Sequence, residues 1–296
     1  MKSITATLPA TGSRIADFVG LTKPRLNALA VASVGVGYWL GATSGINPIL
    51  LLNTVLGSAL VAGGAAALNQ VAEQDLDETM NRTRGRPLPT GRIKASEARV
   101  FGISLAAIGT VELALGASVL TAIVAITTLV SYLSIYTPLK RRTPWSTLVG
   151  AVPGALPPVI GWAAATGTLG VEALSLFGIL FLWQLPHFHA LAWMYRDDFR
   201  RGGLPLLAVL DPEGLKNARI AALFTALLIP VSLVPSLVGL TGSFYVSTAL
   251  SLGVAFLILA WRLTRVPSTT RARTLFLGSL IYLPLLWSAL IIDVAF

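Results

Sequence analysis

Nine apolar stretches, each of roughly the 17–25 residues that a helix needs to cross the hydrocarbon of a bilayer, fill most of this 296-residue chain. They run approximately over residues 25–43, 48–72, 97–116, 118–136, 146–165, 171–194, 217–238, 243–262 and 274–294. In lipid every backbone N–H and C=O must be bonded internally, which a helix achieves within one segment. The expected fold class is an all-α membrane protein, a bundle of nine transmembrane helices. Only 12% of the residues are charged, against about a quarter in soluble domains, and the mean hydropathy is +0.75.

The charges orient these spans. All 22 lysines and arginines lie in the N-terminal arm or in and beside the loops after spans 2, 4, 6 and 8. The other loops and the C-terminus contain none. Basic residues are retained on the cytoplasmic side, so the N-terminus is expected inside and the C-terminus outside. The net charge of +9 is then a topology signal rather than a nucleic-acid surface. The absence of cysteine excludes disulfides, thiolate metal sites and cysteine nucleophiles. The first twenty residues lack the continuous apolar core of a secretory signal; Asp17 argues against a mitochondrial transit peptide. The expected organisation is a cytoplasmic arm, 1–24, followed by one polytopic domain, 25–296. Its functional loops, about 73–96, 137–145 and 195–216, lie on the cytoplasmic face. Seven prolines within spans, from Pro153 to Pro284, predict kinks or broken helices.

Two polar clusters end even-numbered spans. In "NQVAEQDLDETMNRTRGRPL" (69–88), Asn69, Glu73 and Asp77 are spaced i, i+4, i+8 and stack on one helical face, with Asp75 nearly opposite. Hard oxygen donors of this kind suit Mg2+, which binds through one or two carboxylates and takes substrate phosphate oxygens as well. Arg82, Arg84 and Arg86 follow, and guanidinium groups grip phosphate in bidentate fashion. Asn69 lies a turn or two inside the apolar zone, where polar groups are costly and tend to be functional. For Arg92, Lys94 and Arg99 the plainer reading is topology. The second cluster is "WQLPHFHALAWMYRDDFRRGGLPLL" (183–207). His187 and Asp198, eleven residues apart, are close to three helical turns and can share a face. His189 lies well round the helix from His187 and is read as structural. A third stretch, "SIYTPLKRRTPW" (134–145), sets Tyr136, Lys140, Arg141 and Arg142 at the end of span 4.

The stretch "NQVAEQDLDETMNRTRGRPLPTG" resembles the first Asp-rich motif of the UbiA-type intramembrane prenyltransferases. "LTKPR", "YTPLKRRTPW", "GALPPVIGWAAATG" and "FLWQLPHFHALAWMYRDDFRRGGLPLL" are similar to the haem-modifying branch of that family, the protohaem IX farnesyltransferases. The resemblance covers Leu21 to about Leu207. Glu73 departs from it, standing where the motif has Asp; Asp75 matches an extra acid of the branch.

The resemblance implies a nine-helix bundle around a central cavity that opens to lipid and is capped by cytoplasmic loops. It implies transfer of a farnesyl group from farnesyl diphosphate to a vinyl group of haem B, giving haem O, with Mg2+ as cofactor. Asn69, Glu73, Asp77, Asp197 and Asp198 are then the expected metal ligands, and Arg82, Arg86, Lys140 and Arg141 the diphosphate ligands. Asp77, His187 and Asp198 are the expected catalytic residues. The setting would be a bacterial plasma membrane, with a haem A synthase or terminal oxidase assembly as partner. An acceptor such as a quinone precursor or chlorophyllide is the alternative, which "PHF" disfavours. A transporter is a second one, whose charges belong near the midplane rather than at one face.

Overall fold

The computed structural model describes residues 13–43 and 45–295; Lys2, in the arm, lies outside them. The described chain is helical, and eight of its helices are long and apolar enough to cross a membrane. They are Pro48–Ala72, Ala95–Gly116, Val119–Leu139, Ser146–Thr166, Val171–Met194, Leu215–Leu237, Ser243–Arg265 and Thr269–Ala295. These correspond to expected spans 2 to 9. Span 1 is also a helix, Pro24–Gly41, but it carries Arg25 and Asn27 in its first turn and falls short on apolarity. The protein is a multi-pass membrane protein: Leu52, Ile103, Ile126, Leu174, Leu223 and Ile281 are all exposed, an apolar belt for lipid.

Spans 6 to 9 pack in a ring, each against the next, with span 9 closing onto span 6. Span 1 lies between spans 2 and 5 and also touches span 9. Side chains tie the ring together, and tie it to span 1, inside the apolar zone. Trp183 Nε1 donates to the Ser279 carbonyl at 2.9 Å and Trp287 Nε1 to Ser33 Oγ at 3.1 Å. Satisfying such groups across helices replaces the water that lipid cannot supply.

Span 1 meets span 5 with no room to spare. A Cβ built on Gly161 would lie 1.8 Å from the Val34 carbonyl oxygen, and one on Gly37 1.9 Å from the Pro158 carbonyl oxygen. Both obstacles are helix backbone, which cannot swing aside as a side chain can. Gly161→Ala is expected to cost about 1–3 kcal/mol through overpacking. The check is the melting temperature of the detergent-solubilised protein.

The prolines act unequally. Pro157 starts the second half of a split span 5, Ser146–Ala155 and Pro157–Thr166. Pro186 and Pro284 sit within unbroken helices. Pro138 follows a π-helical stretch, Ser131–Tyr136. Its ring would crowd the carbonyl four residues back in a regular helix, and a wider turn relieves that contact. Thr137 Oγ1 then donates to the Tyr132 carbonyl at 2.8 Å.

Candidate active site

A cavity of about 410 Å³ opens between spans 1, 2, 4, 5 and 6, at the end of the bundle that carries the basic loops. Its inner wall is apolar and includes Val34, Val61, Leu129, Ile160 and Phe188; its mouth is ringed by Lys23, Arg82 and Lys140.

The Asn69–Glu73–Asp77 ladder is built as its spacing predicts. The helix of span 2 breaks at Glu73 (φ −110°, ψ 14°) and resumes over Gln74–Thr79. Glu73 N–H still donates to the Asn69 carbonyl, and Asp77 N–H to the Glu73 carbonyl, each at 2.9 Å. The hydrogen-bond ladder therefore runs through the break and keeps the three side chains on one side. Their residues are 2%, 4% and 1% exposed, whereas the Asp75 side chain is 66% exposed.

Each ladder side chain is held by a cation from another segment. Lys140 Nζ donates to both oxygens of Glu73, at 3.0 and 3.1 Å. Arg86 Nη1 donates to Asp77 Oδ2 at 2.7 Å. Lys23 Nζ reaches Asn69 Oδ1 at 3.5 Å, and Asn69 Nδ2 donates to Thr137 Oγ1 at 3.2 Å. Among the described residues no three His, Asp or Glu side chains form a group that could hold a metal ion by themselves. Two carboxylates and one amide oxygen do fit an ion that arrives with phosphate oxygens of its own, as Mg2+ commonly does.

Lys23 went unassigned at the level of sequence. Among the described residues it is the one non-glycine with positive φ, 48°. A left-handed lysine costs roughly 1–2 kcal/mol and persists only where its surroundings enforce it. Here Gln70 Nε2 donates to the Leu21 carbonyl and Asn27 Nδ2 to the Thr22 carbonyl, both at 2.8 Å. Burial, and then the neighbouring Arg86, hold the Lys23 ammonium down to about 8. A lysine directly before the Pro that opens the first apolar span was the signal available.

Of the expected diphosphate ligands, Arg82 and Lys140 line the cavity. Arg82 has no carboxylate partner among the described residues. Its guanidinium lies 5.5 Å from the Tyr195 ring centroid and 6.0 Å from that of Phe199. Burial, and then Arg86, lower its pKa. Arg141 is turned away. It grips Asp75 through two bonds of 2.7 and 2.6 Å and also donates to the Ala72 carbonyl. That ion pair lowers the Asp75 pKa and raises that of Arg141. Arg92, read as a topology residue, clamps the arm through Asp17 at 3.0 Å.

The second cluster divides. Span 6 ends at Met194, and a separate helix, Arg196–Arg201, follows the bend at Tyr195 (φ −112°, ψ 22°). The backbone bonds run on through this bend, Tyr195 N–H to the Leu191 carbonyl at 3.1 Å and Phe199 N–H to the Tyr195 carbonyl at 3.0 Å, yet His187 and Asp198 are taken up by different partners. His187 turns toward span 9: its Nδ1 is 2.7 Å from Ser279 Oγ, and its ring is 4.6 Å from that of Phe276. Gln184 and Phe188 line the cavity on this stretch, and His187 does not. His189 is structural, bonded to Asn217 Oδ1 at 2.8 Å.

Asp197 lies on the exposed side with Arg200. Asp198 is buried. Its Oδ1 accepts from Asn81 N–H and its Oδ2 from Arg82 N–H, both at 3.1 Å, and Arg201 bonds the same carboxylate. Burial pushes its pKa up, but Arg201 and the two backbone N–H groups outweigh that and leave it low. Asp198 thus fixes the backbone from which Arg82 enters the cavity. An amide in its place accepts one of these bonds and presents N–H to the other. Hydrogen bonds to charged groups are worth roughly 1.5–3 kcal/mol, so Asp198→Asn is expected to raise KM for the anionic substrate roughly tenfold or more. Steady-state kinetics with the farnesyl diphosphate that the sequence resemblance implies, at varied concentration, would check this.

Sequence and fold comparisons agree with this geometry. Residues 29–288 match the UbiA prenyltransferase family. A protoheme IX farnesyltransferase of Solibacter usitatus is 47% identical over 94% of this chain and 98% of its own. One of Myxococcus xanthus is 43% identical over 99% and 98%. Two solved structures share the fold. That of a digeranylgeranylglyceryl phosphate synthase is 17% identical with a TM-score of 0.79, covering 96% of this chain and 99% of that one. That of a UbiA homologue from Archaeoglobus fulgidus bound to GPP and Mg2+ is 14% identical with a TM-score of 0.67, covering 93% and 99%. A family match across nearly the whole chain, closed around a cavity with a cationic mouth and a buried acid ladder, makes this protein a member of the UbiA prenyltransferase family.

Proposed function

We propose that this prenyltransferase moves the farnesyl group of farnesyl diphosphate onto a vinyl group of protohaem IX, giving haem O. The observation that carries the reading is the cavity: an apolar interior for an isoprenoid chain, and a mouth of Lys23, Arg82 and Lys140 for its diphosphate. The names of the full-length relatives support haem as acceptor over a quinone precursor or chlorophyllide. Charges gathered at one end of the bundle, not at mid-depth, argue against transport.

In this reading the allylic C–O bond breaks and its electron pair leaves on diphosphate. Arg82 and Lys140, set at the mouth of a largely apolar cavity, meet that developing charge with groups already in place. The vinyl π electrons form the new C–C bond. Water adds to the resulting cation beside the ring and releases a proton. Asn69, Glu73 and Asp77 would hold Mg2+; of the other two expected ligands, Asp197 lies on the exposed side with Arg200 and Asp198 holds the backbone of Arg82. Bound Mg2+ supplies Lewis-acid stabilisation of the leaving group. Arg86, on Asp77, stands ready to follow the diphosphate; Arg141 steadies the loop that carries Lys140. The basic loops would face the cytoplasm of a bacterial plasma membrane.

Membranes containing the protein, incubated with farnesyl diphosphate, haem and Mg2+, should yield a farnesylated, hydrated haem by mass spectrometry. A prenylated quinone precursor in place of farnesylated haem would overturn the choice of acceptor.

A further inference from the structure

The oxygens that a metal must take are the ones that Lys23, Lys140 and Arg86 already hold. Glu73 presents both carboxylate oxygens to Lys140, Asp77 gives Oδ2 to Arg86, and Asn69 Oδ1 faces Lys23. Four cations, Lys23, Arg82, Arg86 and Lys140, stand around two carboxylates, Glu73 and Asp77. A bare divalent cation entering this shell meets a surplus of positive charge and must first break ion pairs. A diphosphate carries the opposite charge and offers the lysines and Arg86 other acceptors.

We propose that Lys23, Lys140 and Arg86 exchange partners, ladder oxygen for phosphate oxygen, so that Mg2+ enters only together with diphosphate. The proposal rests on the reading of the cavity as a diphosphate site and adds to it a diphosphate ligand, Lys23, and an order of binding. The segments that bring the three cations are separate: the strained turn before span 1, the loop after span 4 and the loop after span 2. Each is anchored by contacts away from the ladder, the Arg86 carbonyl accepting from Thr90 Oγ1 at 2.8 Å. Gln70 and Asn27 hold the backbone around Lys23, and the Arg141–Asp75 pair holds that of Lys140. A side chain can therefore swing while its backbone stays.

The test is calorimetric titration of the purified full chain in detergent with Mg2+ alone, inorganic diphosphate alone, and both together. Wild type is expected to show no saturable Mg2+ binding without diphosphate. Lys140→Gln frees Glu73 and should bind Mg2+ alone, while its affinity for magnesium diphosphate falls tenfold or more. Lys140→Arg, which keeps the cation, should again show no saturable Mg2+ binding without diphosphate. Lys23→Gln disturbs no ion pair and should shift both affinities in the same directions, which keeps the test available if Lys140→Gln does not fold. Tight Mg2+ binding to wild type without diphosphate, or unchanged Mg2+ affinity in both glutamine variants, would overturn the exchange. If wild type binds no magnesium diphosphate at all, the diphosphate reading of the cavity falls with it.

Discussion

Asp77→Ala is expected to abolish product formation and also to weaken the fold. Asp77 is the most deeply buried of the ladder acids, and Arg86 lies on it at 2.7 Å. Removing it takes a proposed metal ligand from the site and leaves a guanidinium, itself largely buried, without its partner. Losing one well-placed electrostatic contact commonly costs a hundred- to thousandfold in turnover; a missing metal ligand belongs at the upper end or beyond. Breaking a buried ion pair on one side costs about 3–5 kcal/mol. The variant should still insert into the membrane, because no apolar span is touched. Product yield by mass spectrometry and the melting temperature of the solubilised protein measure the two effects separately. Normal haem product from Asp77→Ala would remove the metal assignment.

Much of this site was readable from residue spacing alone. Asn69, Glu73 and Asp77 share a face because their i, i+4 relation survives the break at Glu73, where the backbone bonds continue. What spacing did not reveal is that the helix breaks there, since the sequence carries neither Gly nor Pro at the point. His187 and Asp198 show the opposite case. Their backbone bonds also run on through the bend at Tyr195, but Ser279 takes up His187 and the Asn81–Arg82 backbone takes up Asp198, which residue spacing cannot foresee. Span 1 illustrates a further limit. Hydropathy measures what a helix presents to lipid on average, and Asn27 on this one, like Lys23 just before it, lines the cavity. The last three spans carry little motif content, and none of their residues lines the cavity. They serve as the packing partner of span 6, a role that many apolar sequences satisfy.

Arg82→Gln is expected to separate activity from stability, in contrast to Asp77→Ala. Arg82 lines the cavity, has no carboxylate partner among the described residues, and rests over the rings of Tyr195 and Phe199. Burial lowers its pKa, which means that the folded protein pays to keep this cation charged. No carboxylate is stranded when it is removed, so the melting temperature should hold or rise; the stacking on the two rings is worth only about 0.5–2 kcal/mol. Transition-state stabilisation should nonetheless fall, because the leaving diphosphate loses a guanidinium fixed in place by the Asp198 carboxylate beneath its backbone. The expected loss in kcat/KM is on the order of a hundred- to thousandfold. Arg82→Lys should recover only part of it, since an ammonium cannot bridge two phosphate oxygens as a planar guanidinium does. A variant whose stability drops as far as that of Asp77→Ala, with kcat/KM near wild type, would make Arg82 a packing residue and move the diphosphate away from it. Lys140 and Arg86 are compensated within the fold by Glu73 and Asp77; Arg82 has no carboxylate of its own among the described residues, and in the proposed reading the diphosphate supplies its counter-ion.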